Sequence, residues 1–170
     1  MATVAPHISV DEYRKLVTDP DCELVDGVIE ERPMGEYDHS TWQTAIAEFF
    51  NLHKEQWGVK ARTELRLQVS PTRFRVPDVM LLSRTAPREQ VITHAPLAVF
   101  EVLSPDDTMS RMLIKLADYE RMGIRSIWLI EPQQQLFYRY SAGKLESQAV
   151  FELDDFACRF AWSEIIATID

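Results

Sequence analysis

The chain has 170 residues, 46% of them hydrophobic and 26% charged, with a formal net charge of −9. That length and mixture fit one globular domain over residues 1–170, large enough to bury about two thirds of its unfolded surface. The acidic balance argues against a general nucleic-acid coat, the two cysteines and four scattered histidines offer no zinc spacing, and no run approaches a membrane span.

The N-terminal residues show no charged segment followed by an apolar core, so a secretory signal is not expected. A cytoplasmic protein with reduced thiols is the expectation. Ser9 then caps a short helix whose end is marked by Pro20. Cys22 to Arg32 reads as a hairpin, because Asp26-Gly27 is a strong two-residue turn signal between apolar flanks. Glu23, in its first arm, reads from sequence alone as a surface strand residue. Asp38 to Gln43 opens the longest helix, with Ser40 and Gln43 spaced as a capping box and His39 at the entrance. Trp42, Ile46, Phe49, Phe50 and His53 form its apolar stripe, and Gly58 ends it.

Arg62 to Val69 alternates as one strand, with Leu65, Leu67 and Val69 inward and Glu64, Arg66 and Gln68 on the other face. Ser70-Pro71-Thr72 turns into a central strand pair, Phe74–Leu82 and Leu97–Leu103. The 14 residues from Ser83 to Pro96 are long for a hairpin loop and suggest a flap over a site. Ser104 to Thr108 is a helix entry in which an acid is expected to cap a helix from Met109 to Met122, ended by Gly123. Met109, Met112, Leu113, Leu116 and Glu120 share one side of it. Lys115 lies about 100° around the wheel, where its stem can follow the apolar surface while the ammonium reaches sideways. Arg125 to Pro132 is a buried strand completing a βαβ unit. Gln135–Tyr140 and Leu145–Leu153 read as a closing hairpin, and Phe160–Ile169 as a terminal helix. No internal repeat, low-complexity tract or linker appears.

Charge is unevenly distributed. Residues 19–38 carry eight acids against one arginine, whereas residues 54–75 carry six bases against two acids. A basic stripe beside acids is compatible with a phosphate-bearing substrate, and equally with a solvated face.

The chemistry rests on two carboxylates inside apolar strands, Asp78 and Glu101. A buried ionised carboxylate is costly unless it is paired or binds a metal. If the two strands close at Leu82 and Leu97, facing residues have numbers summing to 179 and Asp78 faces Glu101, with Cβ atoms about 4.5–5.5 Å apart. A slip of one residue would send them to opposite faces. Two such charges repel unless a cation joins them, and magnesium is commonly held by one or two carboxylates plus substrate phosphate. On this view, neutralising Asp78 should hold or raise the stability of the metal-free protein.

Six elements in order carry a family resemblance: Glu23-Leu-Val-Asp-Gly, His39 before the long helix, Pro77-Asp78-Val, Glu101-Val-Leu-Ser-Pro, Lys115 with Tyr119 and Gly123, and Ile127-Trp-Leu-Ile-Glu-Pro. The sequence resembles the Uma family of restriction endonucleases, bacterial members of the PD-(D/E)XK nuclease superfamily. The resemblance implies an α/β fold with a restriction-endonuclease-like mixed β-sheet core flanked by helices. It implies a Mg²⁺- or Mn²⁺-dependent endonuclease acting on DNA, often as a homodimer. Asp78, Glu101 and Glu23 would be the metal-binding acids and Lys115 the lysine that orients the attacking water. Leu103 stands where the superfamily motif has its lysine, and in this family that lysine has moved to the next helix. Arg62, Arg66, Arg73 and Arg75, with His39, are the candidate phosphate contacts. Two other readings stay open: a catalytically inactive module of the same fold that binds nucleic acid or a protein partner, and a purely structural site in which Asp78 and Glu101 pair with arginines.

Overall fold

The computed structural model describes residues 7–17, 21–33 and 35–169. Its centre is a six-stranded mixed sheet with strand order β10-β9-β8-β7-β6-β3. These strands are β3 (Val59–Thr63), β6 (Val79–Ser83), β7 (Ala98–Val102), β8 (Ser126–Glu131), β9 (Leu136–Ser141) and β10 (Lys144–Ser147). Only β7 and β8 run parallel, joined by helix α4 (Met109–Met122), which is the βαβ unit read from the sequence. All neighbouring strands otherwise pair antiparallel.

Strand alternation gives this sheet two cores. Val79, Leu81, Ala98, Phe100, Val102, Trp128 and Ile130 face helix α2 (Tyr37–Leu52), packing on Trp42, Ile46, Phe49 and Phe50. The same core takes in α3 (Lys54–Trp57), the small hairpin of β11 (Val150–Leu153) with β12 (Cys158–Ala161), and α5 (Trp162–Ile166). Phe50 sits 5.4 Å from Phe100 and 5.2 Å from Phe151 between ring centroids, in tilted and edge-on arrangements that suit the aromatic quadrupole. Met80, Leu82, Val99, Ile127 and Leu129 face the other way, against Met112, Leu116 and Tyr119 of α4 and Leu67 and Val69 of β4 (Leu67–Ser70). Beside them a four-stranded sheet has the order β2-β1-β5-β4, with β1 (Cys22–Val25), β2 (Val28–Glu31) and β5 (Arg73–Arg75). Helix α1 (Val10–Lys15) packs Tyr13 on Cys22, Leu24 and Phe74 of that sheet. Among the described residues no helix is long and apolar enough to cross a membrane.

Local signals near the N-terminus hold. Ser9 and Glu12 make a reciprocal capping box on α1, and Asp26 and Gly27, with φ of 49° and 87°, turn β1 into β2. Pro20 lies outside the described residues. The register of β6 on β7 pairs Val79 with Phe100, Met80 with Val99 and Leu81 with Ala98, the pairing expected from residue numbers that sum to 179.

Several expectations are corrected. Residues 62–69 form no single strand: at Glu64, with φ of 51°, the chain leaves the six-stranded sheet as β3 and re-enters the other sheet as β4. The alternation survives the bend because Leu65, Leu67 and Val69 all reach the core that the two sheets share. Phe74–Leu82 is divided likewise, β5 lying in one sheet and β6 in the other. Between them stands Pro77, which cannot donate to a ladder. The helix begins at Tyr37, so Ser40 is inside it and makes no cap, and Gln43 instead donates to the Asp78 carbonyl at 3.1 Å. Thr108, not an acid, caps α4, while Asp107 accepts from the backbone and hydroxyl of Ser104. Met109 is exposed, and Tyr119 takes a place on the buried side of α4. The Ser83–Pro96 connection is no flap: Ile92 is buried against Leu67 in the core, and the loop joins the ends of β6 and β7 away from Asp78. Residues 145–153 split between two sheets, and residues 160–169 begin as strand before the short α5.

Candidate active site

Parity along the strands decides which side chains meet. Met80 and Leu82 point to the α4 side of the sheet, so Asp78, two residues before Met80, falls on that side; Glu101 shares the α4 side with Val99. Helix α4 crosses this face and brings Lys115 and Tyr119, four residues apart on one side, over the two acids. From the second sheet, alternation along β1 buries Cys22 and Leu24 against α1 and turns Glu23 toward Lys115. Glu23 is 5% exposed, so the surface reading drawn from its sequence neighbours does not hold.

The result is a recess of about 220 Å³ lined by Glu23, Asp78, Glu101 and Lys115 together with Arg32, His39, Arg75 and Arg111. Lys115 Nζ lies 2.9 Å from both Glu23 Oε1 and Glu101 Oε2, and 3.3 Å from the carbonyl of Val76. Its three donors are thus engaged. Tyr119 donates to Glu101 Oε1 at 2.5 Å. Asp78 accepts from Arg32 on Oδ1 at 2.9 Å, and from the Val102 amide on Oδ2 at 2.8 Å; His39 Nε2 stands 3.1 Å from the same Oδ2.

Burial and charge pull these groups apart in acidity. Burial pushes the Glu101 carboxyl up to about 8, against the opposing pull of Lys115, and the charges of Asp78 and Glu23 add to the rise. Burial acts the same way on Asp78, yet His39, Lys115 and Arg32 outweigh it and hold that carboxyl down at about 2. Burial disfavours the Lys115 ammonium, but Glu101 and Glu23 more than offset it and raise its pKa. Burial likewise opposes charge on His39, and Asp78 overcomes it, raising the imidazole. Lysine 115 is therefore a fixed positive charge and a donor, not a proton acceptor.

Of the other predicted contacts, His39 and Arg75 line the recess, whereas Arg62, Arg66 and Arg73 do not. Arg75 is 3% exposed and encloses itself in carboxylates: Glu23 Oε2 at 2.8 Å, Glu30 at 3.1 Å and Asp118 at 2.7 Å. It orients Glu23, and its guanidinium charge is shared among three carboxylates. Arg73 pairs with Asp26 and Asp118. Arg66 is drawn away to the Leu16 carbonyl at 2.9 Å and lies over the Tyr13 ring. Arg62 lines a separate cleft on the edge of β3. Sequence reasoning missed Arg32, Asp118 and the part played by Tyr119. Arg32 is the single base in the acidic stretch, a usable signal, and Tyr119 follows Lys115 by one helical turn.

Among the described residues no group of three His, Cys, Asp or Glu side chains is arranged as a ready metal cage. Glu23 explains this in part: Oε1 accepts from the Val76 amide and Lys115, and Oε2 from Arg75, which fills the acid expected as a third ligand. Asp78 Oδ1 and both oxygens of Glu101 accept one hydrogen bond each. Each keeps acceptor capacity for a hard, oxygen-seeking cation.

Residues 10–157 match the model of the Uma2 family, described as "Putative restriction endonuclease". Among solved structures, a putative nuclease belonging to DUF820 from Anabaena variabilis ATCC 29413 superposes with a TM-score of 0.80 at 26% sequence identity, over 94% of this chain and 98% of that one. No curated protein matches the sequence.

Proposed function

The chain belongs to the Uma2 family of putative restriction endonucleases, and on that footing we propose that it is a cytoplasmic, metal-dependent endonuclease that hydrolyses DNA phosphodiester bonds at the recess around Lys115. The observation that carries this reading is the convergence of Asp78 and Glu101, from adjacent strands, with a lysine fixed beside them.

Asp78 and Glu101 would hold Mg²⁺ or Mn²⁺ through the oxygens that retain acceptor capacity, with Glu23 acting through Lys115 rather than as a direct ligand. When bound, such an ion supplies Lewis acidity at the phosphate and lowers the pKa of its water. Lys115 keeps its proton, so its part is to orient the water and to oppose charge growing on the phosphoryl oxygens. Arg32, hydrogen-bonded to Asp78 at 2.9 Å and lining the recess, would offer its planar guanidinium to a substrate phosphate. Cutting both strands of a duplex would take two copies of the site, as in a homodimer.

A catalytically inactive module that binds nucleic acid or protein is the second reading. It is favoured by the pairing of Asp78 with Arg32 and His39, which satisfies that carboxylate without a metal. Incubation with plasmid DNA and Mg²⁺ or Mn²⁺ separates the two. The nuclease reading expects cleavage that is abolished by EDTA and lost in Asp78→Ala, Glu101→Ala and Lys115→Ala. DNA binding with no turnover, and no calorimetric uptake of either metal, would leave the second.

A further inference from the structure

In a protein carrying −9, one concave surface gathers bases and no acid. A cleft of about 470 Å³ wraps the free edge of β3 and is lined by Asn51, Lys54, Lys60, Arg62 and Arg84. Strand β3 is the last of its sheet, and Val59 and Ala61 turn inward to the aromatic core, leaving Lys60 and Arg62 on the opposite face. That is the face of Asp78 and Glu101, because Arg62 pairs with Met80 and Lys60 with Leu82.

The register also sets the distance. The Glu64 amide donates to the Asp78 carbonyl at 3.3 Å, so Glu64 is the β3 neighbour of Asp78 and Arg62 is one diagonal step away, about 8 Å between Cα atoms. Lys60 follows about 6.7 Å farther along the strand. Arg84, whose amide donates to the Gly58 carbonyl, closes the line, with Lys54 across from it on α3. Some of these cations are already engaged: Lys60 donates to the carbonyl of Ala86 at 3.0 Å, Arg62 to that of Ala61 at 2.7 Å, and Arg84 pairs with Glu55. Carbonyl contacts leave the charge uncompensated, and among the described residues the Lys54 ammonium has no hydrogen bond or ion pair.

We infer that the β3 edge is a track for the nucleic-acid backbone, holding phosphates that flank the one in the recess. The inference rests on the reading of the recess as a nuclease site and adds where the substrate lies. A chain with strong overall negative charge repels DNA at long range, so the bases that begin at Arg62, one step beyond the exposed Glu64 next to Asp78, are where a backbone with one charge per ~3.4 Å of each strand is best accommodated.

The test uses fluorescence anisotropy of a fluorescein-labelled 20-base-pair DNA in EDTA, over a series of salt concentrations. The exposed Lys54 and Arg62 are changed together to Gln, and separately to Arg and Lys. The Gln pair should bind at least fivefold more weakly, with a salt dependence shallower by about 1.8, or about 0.9 for each lost phosphate contact. The charge-preserving pair should bind like the parent. Unchanged affinity and slope in the Gln pair, or no binding by the parent protein, overturns the track. Hydrolysis of bis(p-nitrophenyl) phosphate with Mn²⁺ reads the recess alone, since that diester carries no flanking phosphate for β3 to hold. Equal rates in parent and Gln pair fit the inference, whereas a slower Gln pair would overturn it by tying these residues to the recess. DNA binding through the track without hydrolysis of either substrate supports the track while removing the nuclease reading.

Discussion

Lys115 Nζ stands 2.9 Å from Glu101 Oε2, bringing together a helix residue and a strand residue 14 positions apart. The βαβ connection makes this contact: α4 leaves the end of β7 and returns across the face on which Glu101 points. Lys115→Met removes the partner of two buried carboxylates. It should lower stability by about 3 kcal/mol, read as the midpoint of urea unfolding, and should lower metal-dependent cleavage by two orders of magnitude or more. Wild-type turnover in this variant would remove Lys115 from the chemistry.

Tyr119 is fully buried and its hydroxyl has Glu101 as partner. Tyr119→Phe keeps the ring in the core and deletes one donor, at an expected cost of about 1–3 kcal/mol. Chemical denaturation of the pair of proteins checks it, and a difference near zero would mean that water replaces the hydroxyl.

Asp78→Asn is expected to destabilise the metal-free protein, by about 2 kcal/mol. That cost corresponds to a carboxyl held at about 2 against an ordinary 3.8, at about 1.36 kcal/mol per pH unit. The sequence suggested the opposite, relief of repulsion from Glu101. Arg32, His39 and the Val102 amide reverse the sign, since they hold the charged form. Loss of stability in this variant therefore no longer separates a metal site from a structural one, and metal uptake by calorimetry does.

The two acids should give opposite pH dependences. Glu101, near 8 when folded against an ordinary 4.5, keeps a proton that the unfolded chain has released. Its contribution is present below about pH 4.5 and is lost as pH rises toward 8. Asp78 is depressed, so its contribution is present above about pH 4 and is lost as pH falls through 2. Relative to Glu101→Gln, the metal-free parent should lose stability steadily between pH 5 and pH 8 in urea melts. Metal uptake near pH 7 should release close to one proton, measured by calorimetry in buffers of different ionisation enthalpy. A flat difference between parent and variant would mean that Lys115 holds Glu101 ionised throughout.

Asp118 gathers Arg75 at 2.7 Å, Arg73 at 2.8 Å and Arg121. Asp118→Ala strips Arg75 of a buried partner and loosens the clamp on Glu23. It should cost about 3 kcal/mol in unfolding experiments, and should reduce cleavage more through the rate than through DNA affinity, because the change reaches the site by way of Glu23 and Lys115.

Local chemistry was readable residue by residue. Ser9, Asp26-Gly27 and Gly123 punctuate the chain where the structure turns, because caps and left-handed turns depend on a few neighbouring atoms, whereas the long helix ends at Leu52 and Gly58 instead caps the separate α3. The pairing of β6 with β7 was readable too, since two short apolar strands joined by one connection have few registers that bury both sets of side chains. The acids stood out as single carboxylates in apolar runs, and the role of the lysine one helix later came from the order of the motifs.

Contacts between distant segments were beyond that reach. Nothing near Arg75 in the sequence marks it as enclosed by Glu23, Glu30 and Asp118, and nothing near Glu23 removes it from the surface. The bends at Glu64 and Pro77 were hidden for a related reason: alternation reports which side of a strand is buried and is silent about which sheet buries it. The one-dimensional pattern thus fixes turns, faces and the candidate acids. The partner of each buried charge depends on two sheets and a crossing helix closing over one another, because electrostatic pairing in a dry interior follows distance in space and carries no local signature in the chain.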